Sequence, residues 1–191
     1  MEYPVRTRQW TRAEYDRLIE IGVFRPGDAV ELLGGDLVVA EPQSSPHYTA
    51  IHLTGDALRT AFGAGWVIRT QAPIALDDQS EPEPDVAVAQ GTPREYVGEH
   101  PARPVLVVEV ALSSVALDRD HKGSLYARAQ LPDYWIVNLV DRVLEVYRQP
   151  VSDSAAVFGW RYGSRQTLRA EASIAPLAAP EAGVRVSDLL P

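Results

Sequence analysis

The stretch that most constrains this chain is residues 104–112. Val105, Leu106, Val107, Val108 and Val110 follow one another almost without a polar residue. A strand with one wet face would alternate apolar and polar positions, and this one does not. The run therefore predicts a strand covered on both faces, at the centre of a sheet. One charge breaks it, Glu109. An ionised carboxylate in such a place is costly unless it is paired or bound to a cation. The stretch that points to the fold thus also marks the first candidate for chemistry.

The elements around this strand follow from local signals. Thr11 and Glu14 form a capping-box pair before an apolar stripe through Tyr15, Leu18 and Ile19, with Trp10 able to staple onto Tyr15 and Gly22 as the stop. Val30 to Leu33, Gly34-Gly35 and Asp36 to Val39 read as a tight hairpin, because two glycines permit the positive φ angles of a two-residue turn. Ser45 as cap and Pro46 at the first helical position open a second helix, which ends at Gly63. Strands are predicted over 66–70, 73–76 and 85–89, and a third helix from Ser113 or Ser114 to about Gln130. A second hairpin is predicted over 134–140 and 143–148. Residues 158–191 read as short strands and turns. The pattern is α/β: one domain over residues 1–191, its core at about 10–150, with a central mixed β-sheet flanked by helices.

A second carboxylate stands in a similar setting. Asp85 follows Pro84 and starts the apolar run Val86 to Ala89. If the two strands are neighbours, Asp85 and Glu109 converge at one end of the sheet. Two such groups raise each other's pKa unless a cation sits between them. Mg²⁺ takes oxygen ligands from one or two carboxylates and keeps several waters, and the backbone carbonyl of Val110 is placed to add a ligand. Asp118, Lys122 and Tyr126 recur every fourth residue and share one helix face. Lys122 is the sole lysine beside 17 arginines. A lysine near bound water and a cation can orient a nucleophile and offset charge developing on a phosphate. Simpler readings stand beside these. Asp85 can cap a turn, Glu109 can pair with an arginine, and Asp118 with Lys122 can be a solvated helix pair.

In this order and spacing the chain resembles the PD-(D/E)XK nuclease superfamily, and more closely its bacterial Uma-type, restriction-endonuclease-like family. The resemblance is carried by residues 30–38, Pro46-His47, Glu83-Pro84-Asp85-Val86, Val107-Val108-Glu109-Val110, residues 118–122 with Tyr126, and Tyr134 to Val137. It covers most of the chain and implies a restriction-endonuclease-like fold with Mg²⁺-dependent phosphodiester hydrolysis, Mn²⁺ being a possible substitute. On it, Asp85 and Glu109 are metal ligands, and Glu31 resembles the further acidic residue that completes such sites. Ala111 stands where the superfamily's strand lysine would be, and Lys122 from the following helix takes that part. Gln71 and His47 also match family-typical positions. Gln71 reads as a cleft or sheet-edge residue, and His47, at a helix start, as a cap or surface residue rather than a ligand.

DNA as substrate rests on the resemblance and not on charge. The net charge is −8: residues 1–100 carry 8 arginines against 16 acids, and the remainder carries 10 of each sign. A polyanion is repelled at long range unless arginines such as Arg119, Arg128, Arg142 and Arg148, or a homodimer, make a local groove. A catalytically inactive binding protein of the same fold and a hydrolase of another phosphate ester are the alternatives. The chain has no cysteine, which excludes disulfides, thiolate zinc sites and cysteine nucleophiles and suits a cytoplasmic location. No apolar run is long enough for a membrane span, and the first ten residues, with Arg6 and Arg8, predict no secretory signal. A Gly-rich phosphate loop, a nucleophile elbow and paired-histidine zinc spacing are all missing.

Overall fold

A computed structural model describes residues 7–25, 27–39 and 43–191. Helix α1 (Arg12–Glu20) begins at the expected capping box, with both Thr11–Glu14 bonds formed. Strands β1 (Val30–Leu33) and β2 (Asp36–Val39) pair antiparallel around Gly34-Gly35, whose φ angles are +60° and +90°. Helix α2 (Ser45–Phe62) follows. Its N-cap is Ser44 rather than Ser45, no side-chain cap bond forms, and Pro46 stands in the first turn, where a missing N–H costs nothing.

The centre is a six-stranded mixed sheet in the order β3 (Trp66–Thr70), β4 (Val86–Gln90), β5 (Leu106–Ala111), β6 (Asp133–Asn138), β7 (Val143–Ser152) and β8 (Trp160–Arg169). Only β5 and β6 are parallel. Parallel neighbours need a crossover, and the helical stretch ending in α3 (Gly123–Arg128) supplies it. The apolar run is indeed a central strand, since every residue of β5 is buried.

Alternation along these strands sorts the core into two layers. Val86, Val88, Val108, Val110, Trp135 and Val137 face α2 and the C-terminal Val184, Val186, Leu189 and Leu190. Ala87, Val107, Ala111, Tyr134 and Ile136 face α3, with Tyr126, Tyr147 and Tyr162. Each large apolar side chain so buried stabilises the fold by about 1.5–3 kcal/mol. The residue facing is decisive for the site: with a period of two, Glu109 and Asp85 lie on the α3 side.

Three local expectations are corrected. Residues 73–76 form no strand, because their N–H groups go to loop carbonyls: Ile74 to Pro82, Ala75 to Pro101 and Leu76 to Ser80. The third helix is not uniform. Leu117–Lys122 is a widened π-helical turn in which Gly123 N–H reaches back to the Asp118 carbonyl. The tail is more regular than expected, since the ten residues of β8 extend the sheet beyond β7, and two short strands, β9 (Ser173–Ile174) and β10 (Val184–Arg185), follow.

The β1–β2 hairpin docks beside this sheet through Leu32, whose carbonyl accepts from Glu81 N–H at 2.8 Å. A Cβ on Gly34 would adopt a left-handed backbone and overlap the Phe158 ring. Gly34→Ala is therefore expected to lower stability by about 1–2 kcal/mol from the backbone alone, with more from the ring clash, read as a drop in the urea midpoint at unchanged slope.

Candidate active site

Strands β4 and β5 run antiparallel, and their last paired residues at one end are Val86 and Val108. One step further along the register, Asp85 stands opposite Glu109. The β4–β5 backbone ladder stops there, while on the β3 side the Asp85 carbonyl accepts from Gln71 N–H at 3.1 Å. The Asp85 side chain takes over instead, its Oδ2 accepting Val110 N–H at 2.7 Å. Both carboxylates thus sit at the same end of the sheet and on the same face. Both are buried.

Two further elements close on this point. From the crossover helix comes Lys122, buried to 6% exposure. Its Nζ is 3.2 Å from Glu109 Oε1 and 3.2 Å from Glu31 Oε2. From α3, the Tyr126 hydroxyl donates to Glu109 Oε1 at 2.6 Å. Glu31, on β1, also accepts Glu83 N–H at 3.1 Å. The hairpin, the sheet and the crossover helix therefore meet on one ammonium, and the solvated-pair reading of Lys122 does not hold. Nor does it for Asp118, 2% exposed, whose Oδ2 accepts from Ser114 Oγ at 2.6 Å.

The π-turn is part of this construction. The Asp118 carbonyl accepts from the Tyr134 hydroxyl at 3.0 Å as well as from Gly123 N–H. A Cβ at position 123 would lie 3.2 Å from that carbonyl oxygen, so glycine lets the widened turn close. π-Turns of this kind concentrate at functional sites.

Beside Asp85 and Lys122 opens a cleft of about 480 Å³, and Glu109 lies buried outside its lining. Glu31, Glu83, Asp85, Asp118, Lys122 and His47 line it, together with Gln71 and the aliphatic Val38, Val39, Leu112 and Leu117. His47 is no surface cap. It is half-buried, and its Nε2 lies 3.4 Å from Asp85 Oδ2. Gln71 lines the cleft in a left-handed backbone, φ +48°, a conformation that is uncommon outside glycine. Glu83 and Asp118 join the cleft in addition to the site residues that the sequence predicts. Asp118 had a usable signal, one turn before the sole lysine; Glu83 had none beyond its place before Pro84-Asp85.

Electrostatics follow the burial. Glu109 is pushed well above the usual carboxylate range by burial, against which Lys122 acts. Burial alone would depress the Lys122 ammonium, but Glu109, Glu31, Asp118 and Asp85 outweigh it and hold the amine charged. The Tyr126 hydroxyl is pushed far up by burial and stays a donor. His47 is raised, chiefly by its bond to Asp85.

Among the described residues no arginine lines the cleft. Arg119 is bound to Glu145, Arg128 to Asp77, Arg148 to Asp133, and Arg142 donates to the Pro191 carbonyl. The four arginines proposed for a groove are engaged elsewhere.

The family profile described as "Putative restriction endonuclease", Uma2, matches residues 12–185. The chain belongs to the Uma2 family. Among solved structures it is similar to one titled a putative nuclease belonging to DUF820 from Anabaena variabilis, with a TM-score of 0.70 and 16% identity over 94% of this chain and 97% of that one. The shared fold is restriction-endonuclease-like. No curated protein matches the chain. Among the described residues no helix is long and apolar enough to cross a membrane. Family membership gives the coarse activity, a nuclease of the hydrolase class.

Asp118 offers a check on the buried charge. Burial raises its pKa to about 6, with Lys122 opposing. The folded chain then binds that proton more tightly than the unfolded chain, so its contribution to stability is full below about pH 4 and is lost as pH rises through about 6. Asp118→Asn is expected to raise stability at pH 8 by on the order of 1–3 kcal/mol and to leave it unchanged near pH 4, read from paired melting curves.

Proposed function

We propose that this Uma2-family chain is a divalent-cation-dependent endonuclease that hydrolyses phosphodiester bonds of DNA, with Asp85 and Glu109 as cation ligands and Lys122 as the catalytic ammonium. The observation that carries the reading is the Lys122–Glu109 ion pair beside Asp85, which accepts the N–H of the residue next to Glu109 and lines one cleft with Lys122.

The donor set fits a hard cation. Both groups are carboxylates, and each has one oxygen, Asp85 Oδ1 and Glu109 Oε2, that accepts no hydrogen bond from the described residues. Among those residues no three carboxylate or imidazole groups form a ready cage, but Mg²⁺ is commonly held by one or two carboxylates and its own waters. The Val110 carbonyl is the further ligand we propose. A cation bound there supplies Lewis-acid charge to a phosphoryl oxygen and to the attacking water.

The remaining steps belong to the chain's own side chains. Tyr126 holds Glu109 by its Oε1 and so orients the other oxygen. Val110 N–H holds Asp85 in the same way. The Lys122 ammonium, charged and without room to wander, stabilises negative charge developing on the phosphate. Glu31, Glu83 and Asp118 add negative potential, which favours a dication and disfavours a bare phosphate. DNA is proposed as substrate on the family description. With no arginine in the cleft among the described residues, a bound cation would supply the local attraction for it.

Nicking of supercoiled plasmid in Mg²⁺ or Mn²⁺ tests the proposal. Cleavage is expected to vanish with a chelator. It is expected to fall at least about 100-fold in each of Asp85→Asn, Glu109→Gln and Lys122→Met, the scale of removing one charge-stabilising group from a preorganised site. Undiminished cleavage by Glu109→Gln, or cation binding by the wild type without turnover, would overturn it.

A further inference from the structure

Glu31 differs from the other two carboxylates in how its oxygens are used. Both already hold donors: Lys122 Nζ lies 3.3 Å from Oε1 and 3.2 Å from Oε2, and Oε2 also takes Glu83 N–H at 3.1 Å. Asp85 and Glu109 each keep one oxygen with no donor among the described residues. Glu31 also belongs to a different body. It sits on the β1–β2 hairpin, a two-stranded unit separate from the main sheet, whereas Asp85 and Glu109 share adjacent strands of that sheet.

We infer that Glu31 is a positioning residue for Lys122 and stands outside the cation's ligand set. This rests on the reading of the site as a cation-dependent nuclease. Without a cation, the ammonium is shared between Glu31 and Glu109 at equal distance. A dication held by Glu109 would weaken that carboxylate's hold on the amine, and the like charges would repel. An ammonium with no second anchor would leave for solvent. Glu31, reaching across from the hairpin with both oxygens, keeps it beside the reacting phosphate. Tyr126 does the corresponding work on Glu109 from the other side.

The composition makes a direct test possible. Lys122 is the only lysine, so an amine-acylating reagent reads it alone apart from the N-terminal amine, which peptide mass spectrometry separates. In the folded wild type Lys122 is expected to react slowly, and in Glu31→Gln several-fold faster. Leu32→Ala loosens the same hairpin through a fully buried side chain without touching the ammonium, and is expected to accelerate acylation less. Turnover supplies the second arm. If Glu31 acts through Lys122, the double variant Glu31→Gln/Lys122→Met cuts no more slowly than Lys122→Met alone, since residues acting as a unit are non-additive. Unchanged acylation in Glu31→Gln, equal acceleration in Leu32→Ala, or multiplicative losses in the double variant would each overturn the inference. If the wild type binds no Mn²⁺ and cuts nothing, the nuclease reading fails, and the acylation arm still decides whether Glu31 anchors the amine.

Discussion

One ammonium, Lys122, lies between carboxylates that belong to different parts of the fold, and the architecture of the proposed site depends on it. Burying a charge in a protein interior costs several kcal/mol unless partners replace the lost water. Here the partners are Glu109 from the central sheet and Glu31 from the hairpin. Removing the ammonium would leave two buried carboxylates facing each other. Removing either carboxylate would leave a buried amine half-paired. The pairings therefore do not simply add stability; they make the docking of hairpin, sheet and crossover helix mutually conditional. The widened turn at Leu117–Lys122 belongs to the same constraint, since Tyr134 and Gly123 together satisfy the Asp118 carbonyl there.

A second buried carboxylate shows what the alternative solution looks like. Glu145 on β7 is 1% exposed and is surrounded by Arg119, Arg165, Tyr147 and Asn138. Burial acts to raise its pKa, but these donors hold it at about 2. That group is fully satisfied and permanently charged, and it ties the crossover helix to the far side of the sheet. At Glu109 the balance goes the other way: few donors, one oxygen unclaimed, and a pKa pushed up. The contrast separates a structural carboxylate from one kept available, and it also shows where the arginines have gone. They neutralise acids across the fold and leave the cleft negative.

The central features of fold and candidate site were legible because they violate local rules in visible ways. Glu109 is a charge in an apolar strand, Asp85 follows a proline into another, and Lys122 is the one lysine in an arginine chain. Packing decided the features that local reading missed. Residues 73–76 carry a strand-like composition, yet loop carbonyls capture their N–H groups. The ten residues of β8 look irregular because β8 is an edge strand, with only Tyr162 fully buried in it, so alternation has little to show. The contact of His47 with Asp85 depends on the angle at which α2 enters beside the sheet, which no spacing encodes. A π-turn leaves no propensity signal, since it needs only a glycine and a hydroxyl arriving from another strand.

The solitary lysine acquires a physical reason from this geometry. An arginine presents a planar fork suited to one carboxylate gripped by two parallel bonds, as Arg148 and Arg119 grip Asp133 and Glu145. The site at position 122 asks for something different. Its two carboxylates lie on separate elements, and Tyr126 already donates to the oxygen of Glu109 that faces the amine. A compact ammonium, whose three donors point apart, can bridge both without displacing the hydroxyl. A guanidinium that seated itself on Glu109 would compete with Tyr126 and extend across both oxygens, including the one left open. An arginine at this position would thus preserve the charge and close the site.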